Sequence, residues 1–135
     1  LRPDVAFFHA HMADRQGKVS FGYPVEATIV AEASRYVVVS VEEVVDRLDE
    51  RDAEGTFLPS ILVDAVVHAP YGTHPGGLTG RYAPDREAMR RYVEASRSDE
   101  AFAEYLEETV FGISGHDEYL ERFAPQYAAR AEQPV

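Results

Sequence analysis

The sequence predicts an α/β fold with a mainly parallel sheet and a helical carboxyl-terminal part. Three apolar runs, at residues 5–10, 35–45 and 60–69, are typical of strands that are buried on both faces of a sheet. From Pro84 onward the apolar residues instead recur at helical spacing. Strands of this kind followed by helices indicate the α/β class.

The first third of the chain predicts one buried strand, a short extended segment and a helix. Residues 5–10, with two phenylalanines at their centre, predict a central parallel strand. Residues 13–18 carry an Asp and a Gly at turn spacing, and an extended pattern resumes at residues 19–21. Pro24 then opens a segment, residues 25–34, whose apolar side chains can share one face of a short helix.

The middle third predicts two further strands. Residues 35–45 include the β-branched run VVVSV and end in a pair of glutamates. Residues 46–55 are rich in charge and lack apolar periodicity, so we expect an exposed connection there. The third strand is predicted at residues 60–69, and Pro70 ends it because proline cannot donate to a strand ladder. Three strands make a sparse sheet, which a neighbouring chain is expected to complete.

The last third predicts helices. Two apolar stripes are separated by Ser98 and Asp99, and Ser114 lies where it could cap a last helix. The aromatic residues at helical spacing are expected in the core: Tyr92, Phe102, Tyr105, Tyr119 and Phe123. We expect one domain over residues 1–125 and a frayed tail over residues 126–135.

Composition excludes several classes of function. The 135 residues, 45% of them hydrophobic, suit one ordinary core. The chain has no cysteine, so a disulfide framework, a thiolate metal site and a thiol nucleophile are excluded. With 24 acidic against 13 basic residues, a net charge of -11 would repel nucleic acid. No apolar run approaches the ~20 residues of a membrane span, and the first residues resemble no leader, so we expect a soluble, cytoplasmic protein.

The loop that follows the third apolar run is the strongest candidate for a ligand site. Its sequence, YGTHPGG at residues 71–77, combines glycines that allow close backbone approach to a ligand with the polar side chains of Thr73 and His74. Arg81 follows closely and is a candidate contact for a carboxylate or a phosphate. A plain connecting loop is the alternative.

Two further pairs of residues invite a chemical role. His9 and His11 are two apart on a predicted strand, so both imidazoles face the same side. A metal pair is geometrically possible there, but a third ligand would have to come from elsewhere in the fold, and a pocket wall or an ordinary structural role are the alternatives. Glu42 and Glu43 are adjacent carboxylates at a strand end, where paired or solvated carboxylates are the common case. We expect no resident metal.

Three blocks carry a resemblance to a known family: PDVAFFHAHMADRQG at residues 3–17, RYVVVSVEEVVD at residues 35–46 and LVDAVVHAPYGTHP at residues 62–75. In this order they resemble the second half of the A-type subunit of a family I CoA-transferase, of the glutaconate CoA-transferase kind. They also resemble the related subunit of a CoA-thioester hydrolase of steroid-ring breakdown. The resemblance extends to about Phe123.

Individual motif positions agree with the resemblance to different degrees. The family pattern His-x-Gln-x-Ala-Asp is matched at His9 and Asp14, whereas His11 stands in place of the glutamine. The Gly-x-His-Pro element of the resembled subunits is matched at Gly72 and His74.

The resemblance implies a Rossmann-like CoA-transferase fold and a role in moving CoA between an acyl-CoA thioester and a carboxylic acid. The family's chemistry resembles attack by a glutamate carboxylate on the thioester, and in the resembled transferases that glutamate lies in the other, B-type subunit. A nucleophilic Glu42 or Glu43 is the less favoured alternative that this chemistry implies. This chain would then form part of the acyl pocket and carry no catalytic residue of its own. The residues expected to bind substrate are His11, Gly72, Thr73, His74 and Arg81.

The resemblance also implies partners. The B-type CoA-transferase subunit would be needed, together with the missing first half of the A-type subunit, so the chain is expected to be inactive alone. The CoA thioester is a substrate, and no permanently bound cofactor is expected. Two alternatives stay open: a CoA-thioester hydrolase subunit of the same fold, or a non-catalytic assembly module with a metal at His9 and His11.

Overall fold

A computed structural model describes residues 2–22, 26–49, 51 and 55–125 of the chain. The chain divides into two compact units, Leu1–Gly72 and Thr73–Val135. The predicted tail at residues 126–135 lies outside the described residues, as do the predicted first residues of the first helix and part of the charged connection.

The amino-terminal unit is built on a sheet of five described strands. They are β1 (Val5–Asp14), β2 (Val19–Phe21), β3 (Tyr36–Val45), β4 (Thr56–Leu58) and β5 (Ala65–His68). Their order across the sheet is β4-β2-β1-β3-β5. Strands β1, β3 and β5 run parallel, whereas the short β2 and β4 pair antiparallel. The predicted α/β fold with a mainly parallel sheet is confirmed.

The hairpin between β1 and β2 follows from two residues of the predicted turn. The Asp14 carboxylate accepts hydrogen bonds from the backbone N–H groups of Gln16 and Lys18, at 2.9 and 3.0 Å. Gly17 has a φ of 88°, a left-handed conformation that glycine adopts without steric cost. These features reverse the chain within four residues, which explains why β2 runs antiparallel to β1.

A single helix, α1 (Glu26–Ala33), covers one face of the sheet. Its Ala31 is buried in the hydrophobic core and Ala27 packs against that core. The β-sheet side of the core consists mainly of small and β-branched residues, which let the helix approach closely: Ala6, Ala10, Val37, Val39 and Val41.

The prediction for residues 60–69 is wrong in part. Ser60–Leu62 form one 3₁₀ turn, and the strand covers only Ala65–His68. Leu62 and Val63 pack against the core without joining a strand ladder, so the apolar run reports burial and not an extended backbone. Strand β4 was not predicted, because three residues are too few to show a periodicity. The sheet therefore has five described strands in place of the predicted three.

The carboxyl-terminal unit is helical, as predicted. It contains α2 (Arg86–Ala95), α3 (Asp99–Leu106), a π-helical turn (Glu107–Phe111) and α4 (His116–Phe123). Ser98 separates α2 from α3 and caps α3, because its hydroxyl accepts the N–H of Ala101 at 3.2 Å.

The predicted cap of the last helix is wrong. Gly115 occupies the N-cap position of α4 and makes no side-chain cap. Ser114 instead donates its N–H and its hydroxyl to the Glu118 carboxylate, at 2.8 and 2.6 Å. The bond direction is therefore the reverse of a serine cap, since the serine supplies the hydrogens.

The aromatic residues of this unit form two clusters. Tyr92, Phe102 and Tyr105 contact one another with ring centroids 5.7 to 6.3 Å apart. Tyr119 and Phe123 form the other pair at 5.4 Å. Tyr92 is half-exposed, so its predicted place in the core is wrong, although it does pack on the two rings of α3. Within the described part of the chain, no helix has the length and apolarity to cross a membrane.

Candidate functional site

A histidine and a glutamate on adjacent parallel strands form the most buried ionisable pair with a described geometry. His9 of β1 lies directly opposite Ser40 of β3, and Glu42 follows two residues later on the same face of β3. The His9 Nε2 atom lies 2.7 Å from Oε1 of Glu42, and Nδ1 lies 2.9 Å from Oγ of Ser40. The side chains of His9 and Glu42 are only 10% and 9% exposed. The pair is therefore largely shielded from water.

The second oxygen of Glu42 binds the loop that follows β5. The backbone N–H of Tyr71 donates to Oε2 of Glu42 at 2.8 Å. Tyr71 has a φ of 59°, in the left-handed region that costs a residue with a side chain roughly 1 kcal/mol or more. The conformation points the amide of this loop residue at the carboxylate, so Glu42 anchors the start of the predicted ligand loop.

Ser40, His9 and Glu42 form one hydrogen-bonded chain across the two strands. The hydroxyl of Ser40 donates to the carbonyl oxygen of Phe8 at 3.3 Å, and its oxygen lies 2.9 Å from Nδ1 of His9. The other ring nitrogen, Nε2, contacts Oε1 of Glu42. The imidazole is therefore held at both of its nitrogens.

The absence of a side chain at Gly72 allows the loop to lie against His9. A Cβ atom at Gly72 would lie 2.8 Å from Cε1 of His9 and 2.8 Å from the carbonyl oxygen of Ala69. Both separations are shorter than real contacts of this kind, so a side chain would displace the loop. The predicted site residue Gly72 thus lies beside the histidine and glutamate pair.

His11 has different neighbours from His9. Its ring packs against Gly22, where an added Cβ would overlap the imidazole. His9 already uses both ring nitrogens in hydrogen bonds. Among the residues that the structure describes, no three His, Cys, Asp or Glu side chains are placed to hold a metal ion. The geometry thus gives the metal alternative at His9 and His11 no support.

His74, the central residue of the predicted loop, is buried in the carboxyl-terminal unit. Its Nδ1 atom lies 3.0 Å from Oη of Tyr119, and its Nε2 atom lies 3.3 Å from Oδ2 of Asp85. Its imidazole connects the loop to the start of α2 and to α4. These contacts restrict the imidazole of His74, which in turn stabilises the conformation of the loop.

Two ionisable partners of His74 have shifted pKa values. The backbone N–H of Ala88 is the main cause that lowers the pKa of the Asp85 carboxyl below 3.8, with the His74 hydrogen bond contributing in the same direction. Burial is the main cause that raises the pKa of the Tyr119 hydroxyl above 10.0. Asp85 is therefore an anion and Tyr119 a neutral hydroxyl at neutral pH.

The two remaining predicted residues, Thr73 and Arg81, belong to the carboxyl-terminal unit. Oγ1 of Thr73 is 2.7 Å from Oη of Tyr82. Arg81 precedes Tyr82 in an exposed turn that is closed by paired backbone hydrogen bonds between Leu78 and Tyr82.

His74 also lines a cavity of about 120 Å³ together with Arg91, Tyr105, Thr109, Tyr119 and Arg122. That volume suits a few water molecules or a single small anion.

Sequence reasoning missed two members of the network, Ser40 and the amide of Tyr71. Aligning the two predicted parallel strands from their first residues, Val5 and Arg35, would have placed Val39 opposite His9, so the sequence did not indicate the register that brings Ser40 there. Nothing in the local sequence indicates a left-handed Tyr71, since tyrosine rarely adopts that conformation.

Comparisons with known proteins agree with this architecture. The family model described as Coenzyme A transferase matches residues 1–69. The A-type subunit of glutaconate CoA-transferase from Acidaminococcus fermentans is 38% identical over 121 residues, covering 88% of this chain and 38% of the relative. In the crystal structure of that enzyme, one chain superposes with a TM-score of 0.84 at 34% identity, over 95% of this chain and 41% of that chain.

Two other relatives have different names. The A-type subunit of 3-oxoadipate CoA-transferase from Pseudomonas knackmussii is 32% identical over 128 residues, covering 92% of this chain and 44% of the relative. The cholesterol ring-cleaving hydrolase IpdA subunit of Rhodococcus jostii is 26% identical over 136 residues, covering 95% of this chain and 45% of the relative.

The chain spans less than half the length of each of these three relatives. The residues matched by the family model nevertheless include all five described strands of the amino-terminal unit. The predicted resemblance is confirmed by the family model, by two relatives above 30% identity and by the superposed structure. The chain therefore belongs to the coenzyme A transferase family I, among the A-type members of that family.

Proposed function

We propose that this chain is the carboxyl-terminal part of the A-type subunit of a CoA-transferase. It would act with the first half of that subunit and with the B-type partner. The assembled enzyme would move CoA between an acyl-CoA thioester and a carboxylic acid. Family membership supports this proposal, and so do the names of two relatives, both of them A-type subunits of CoA-transferases.

The environment of the Glu42 carboxylate is the observation that supports a non-nucleophilic role for this chain. A carboxylate that attacks a thioester must reach the carbonyl carbon with a free oxygen. The Glu42 carboxylate is largely buried, and its two oxygens accept hydrogen bonds from His9 and Tyr71. It is suited to holding a loop and poorly suited to attack, so the nucleophilic glutamate would lie in another chain.

The proposed chemistry divides the transfer into balanced steps. The glutamate of the other chain attacks the thioester carbonyl, which forms a mixed anhydride and releases the CoA thiolate. The thiolate then attacks the glutamyl carbonyl, giving a glutamyl-CoA thioester and the free acid. The acceptor carboxylate reverses the two steps and leaves as the new acyl-CoA, so no resident cofactor is required.

This chain would contribute contacts to the substrate. The residues proposed for these contacts are His11, Gly72, Thr73 and Arg81. His74 would act through the conformation of the loop, because its own imidazole is buried against Tyr119 and Asp85. Since these residues position a substrate and carry out no covalent step, the chain alone would be inactive.

Locating the covalent intermediate tests the proposal. The complex is purified from its own host, incubated with acyl-CoA and analysed by mass spectrometry for the chain and residue that gain the mass of CoA less that of one water, as a glutamyl-CoA thioester does. We expect the adduct on a glutamate of another chain. We also expect the Glu42→Gln complex to transfer acyl groups at a rate within about tenfold of the unsubstituted complex. Loss of the nucleophile would instead lower that rate by several orders of magnitude.

Two results would contradict the proposal. One is a CoA adduct on Glu42 or Glu43. The variant Glu43→Gln is the matched control for Glu42→Gln, because it makes the same change at the neighbouring position. The other is acyl transfer by this chain alone, at a rate equal to that of the complex.

Hydrolysis is the second candidate function. The similarity to the IpdA subunit of a cholesterol ring-cleaving hydrolase favours it, and a shared fold cannot separate the two reactions. In a hydrolase, water replaces the acceptor acid. Supplying acyl-CoA without any acceptor distinguishes them, because only a hydrolase would convert all of it to free acid and CoA.

A further inference from the structure

The chain makes a tight turn where it leaves β5. The N–H of Gly72 donates to the carbonyl oxygen of Ala69 at 3.0 Å, which closes the turn. Its two central residues are Pro70 and Tyr71. Tyr71 has a φ of 59°, and among the described residues other than glycine it is the one with a positive φ. A hydrogen-bonded turn with proline second and a positive φ third is of type II, and its third position ordinarily holds glycine or asparagine.

Neither backbone feature of this position requires a tyrosine. A positive φ strains a residue that has a Cβ atom, whereas glycine adopts it without steric cost. The bond to Oε2 of Glu42 is made by the backbone N–H of Tyr71, which every amino acid except proline could supply. Tyr71 is half-buried and lies outside the hydrophobic core that the described residues form. The turn, its anchor and the core therefore do not account for this side chain.

The aromatic ring is what distinguishes tyrosine from the residues that suit this turn. Asparagine, aspartate and histidine adopt a positive φ several times more often than other residues with a side chain. Any of the three could provide a hydrogen-bonding group at position 71 with less strain. None of them offers the large apolar surface of a phenol ring. The strained conformation of Tyr71 therefore indicates a contact that its ring makes.

The turn lies where a ligand would meet the sheet. Ligands of open α/β sheets bind outside the carboxyl ends of the parallel strands. The turn follows the carboxyl end of β5, and the amide of Tyr71 is bound to Glu42 in the carboxyl half of β3. The next residue, Gly72, lies against His9 of β1. The chain therefore crosses from β5 over β3 to β1, and Tyr71 lies on the segment that enters the predicted ligand loop.

Resting on the proposed function, we propose that Tyr71 is a specificity-determining residue whose ring packs against the acyl group of the acyl-CoA thioester. The carbon chain of an acyl group is apolar, so its contact with the ring removes apolar area of both from water. Tyr71 takes part in no covalent step, and its effect lies in binding. Glu42 acts through the amide of Tyr71 and is a positioning residue for the ring.

The binding of two CoA compounds to the complex tests this inference. The probes are CoA and S-hexyl-CoA, a thioether that carries an alkyl chain but no carbonyl group for a nucleophile to attack. Isothermal titration calorimetry gives the dissociation constant of each compound for the complex purified from its own host. The same measurements are made on complexes that carry Tyr71→Asn or Tyr71→Phe.

We expect Tyr71→Asn to weaken the binding of S-hexyl-CoA about tenfold, because the alkyl chain loses its contact with the ring. The binding of CoA should not change, since CoA has no acyl group. Tyr71→Phe keeps the ring and should bind S-hexyl-CoA as tightly as the unsubstituted complex. Because asparagine suits the third position of the turn, the melting temperature of the Tyr71→Asn complex should not fall. The control Tyr36→Asn, at the amino end of β3, should leave both dissociation constants unchanged.

Four results would overturn the inference. They are unchanged binding of S-hexyl-CoA by Tyr71→Asn, equal weakening of both compounds, equal weakening by the two Tyr71 variants, and a lower melting temperature of the Tyr71→Asn complex, which would show a structural role of the ring. Each of them leaves the proposed function standing. Failure of the proposed function has a different signature, because an unsubstituted complex that binds neither compound is not a CoA-transferase.

Discussion

Two adjacent glutamates of β3 have different environments because neighbouring strand residues point to opposite faces of the sheet. Glu42 lies on the face of His9 and Ser40, where it accepts hydrogen bonds from a ring nitrogen and from the amide of Tyr71. The side chain of Glu43 lies on the opposite face of β3. A buried donor that loses its acceptor costs the full desolvation of that donor, so the network is sensitive to a single deletion at Glu42.

We expect Glu42→Ala to lower the free energy of unfolding by about 2–4 kcal/mol, because it leaves His9 Nε2 and the Tyr71 N–H without their acceptor. Glu42→Gln should cost at most about 1 kcal/mol, since an amide can accept from Tyr71 and donate to the other tautomer of His9. Urea unfolding followed by circular dichroism measures both.

The control for this prediction is Asp46→Ala, which removes a carboxylate whose side chain is 91% exposed, and we expect a loss of no more than about 1 kcal/mol. Equal losses for Glu42→Ala and Asp46→Ala would show that the network of Glu42 contributes nothing special to stability.

At the scale of elements, Asp85 determines where α2 begins. Its carboxylate accepts hydrogen bonds from the backbone N–H groups of Glu87 and Ala88, at 3.0 and 2.9 Å. The same side chain contacts His74 at 3.3 Å, so one residue both caps the helix and fixes the loop imidazole. Since the ionised form makes these contacts, the pKa of Asp85 is lowered.

The lowered pKa sets the direction of a pH effect. A carboxyl that ionises more easily in the folded state contributes stability above its ordinary value of 3.8, and that contribution is lost as the pH falls through the lower folded pKa. We expect Asp85→Ala to reduce the free energy of unfolding by about 1 kcal/mol at pH 7. The difference from the unsubstituted chain should shrink as the pH falls below about 4.

Chemical unfolding of both chains over this pH range measures the effect. The control is Ser98→Ala, which removes the uncharged cap of α3. Its effect on the free energy of unfolding should not change with pH. If Asp85→Ala lowered the free energy of unfolding by the same amount below pH 4 as at pH 7, the ionised form of Asp85 would not be the one that caps α2.

At the scale of the whole molecule, the net charge of -11 opposes the compact state. The described surface ion pairs are weak compensation, since pairs such as Arg15 with Asp46 are almost fully exposed. Repulsion among many like charges therefore outweighs the few attractive contacts at low salt.

We expect added salt to stabilise the chain for this reason. Raising NaCl from about 0.1 M to about 1 M shortens the screening length from about 10 Å to about 3 Å, which weakens the repulsion. The melting temperature should rise by a few degrees, and KCl at the same concentration should act alike. A melting temperature that falls with salt would mean that ion pairs outweigh the repulsion.

The sequence by itself determined the class of fold, the position of β1 and β3, the helical second part and the family. These features depend on local patterns: apolar runs, β-branched density, helical spacing and motif blocks that are read along the chain. It also selected the loop at residues 71–77, because its glycines and its place after an apolar run are local features.

Only the tertiary structure decided which residues meet. The opposition of His9 and Ser40 depends on the register between strands 31 positions apart, and the amide of Tyr71 reaches Glu42 through a backbone conformation that tyrosine disfavours. The 3₁₀ turn at Ser60–Leu62 likewise depends on packing and not on the local pattern. An apolar run fixes that a segment seeks burial, whereas the packing of the other segments decides its backbone conformation and which of its faces is covered.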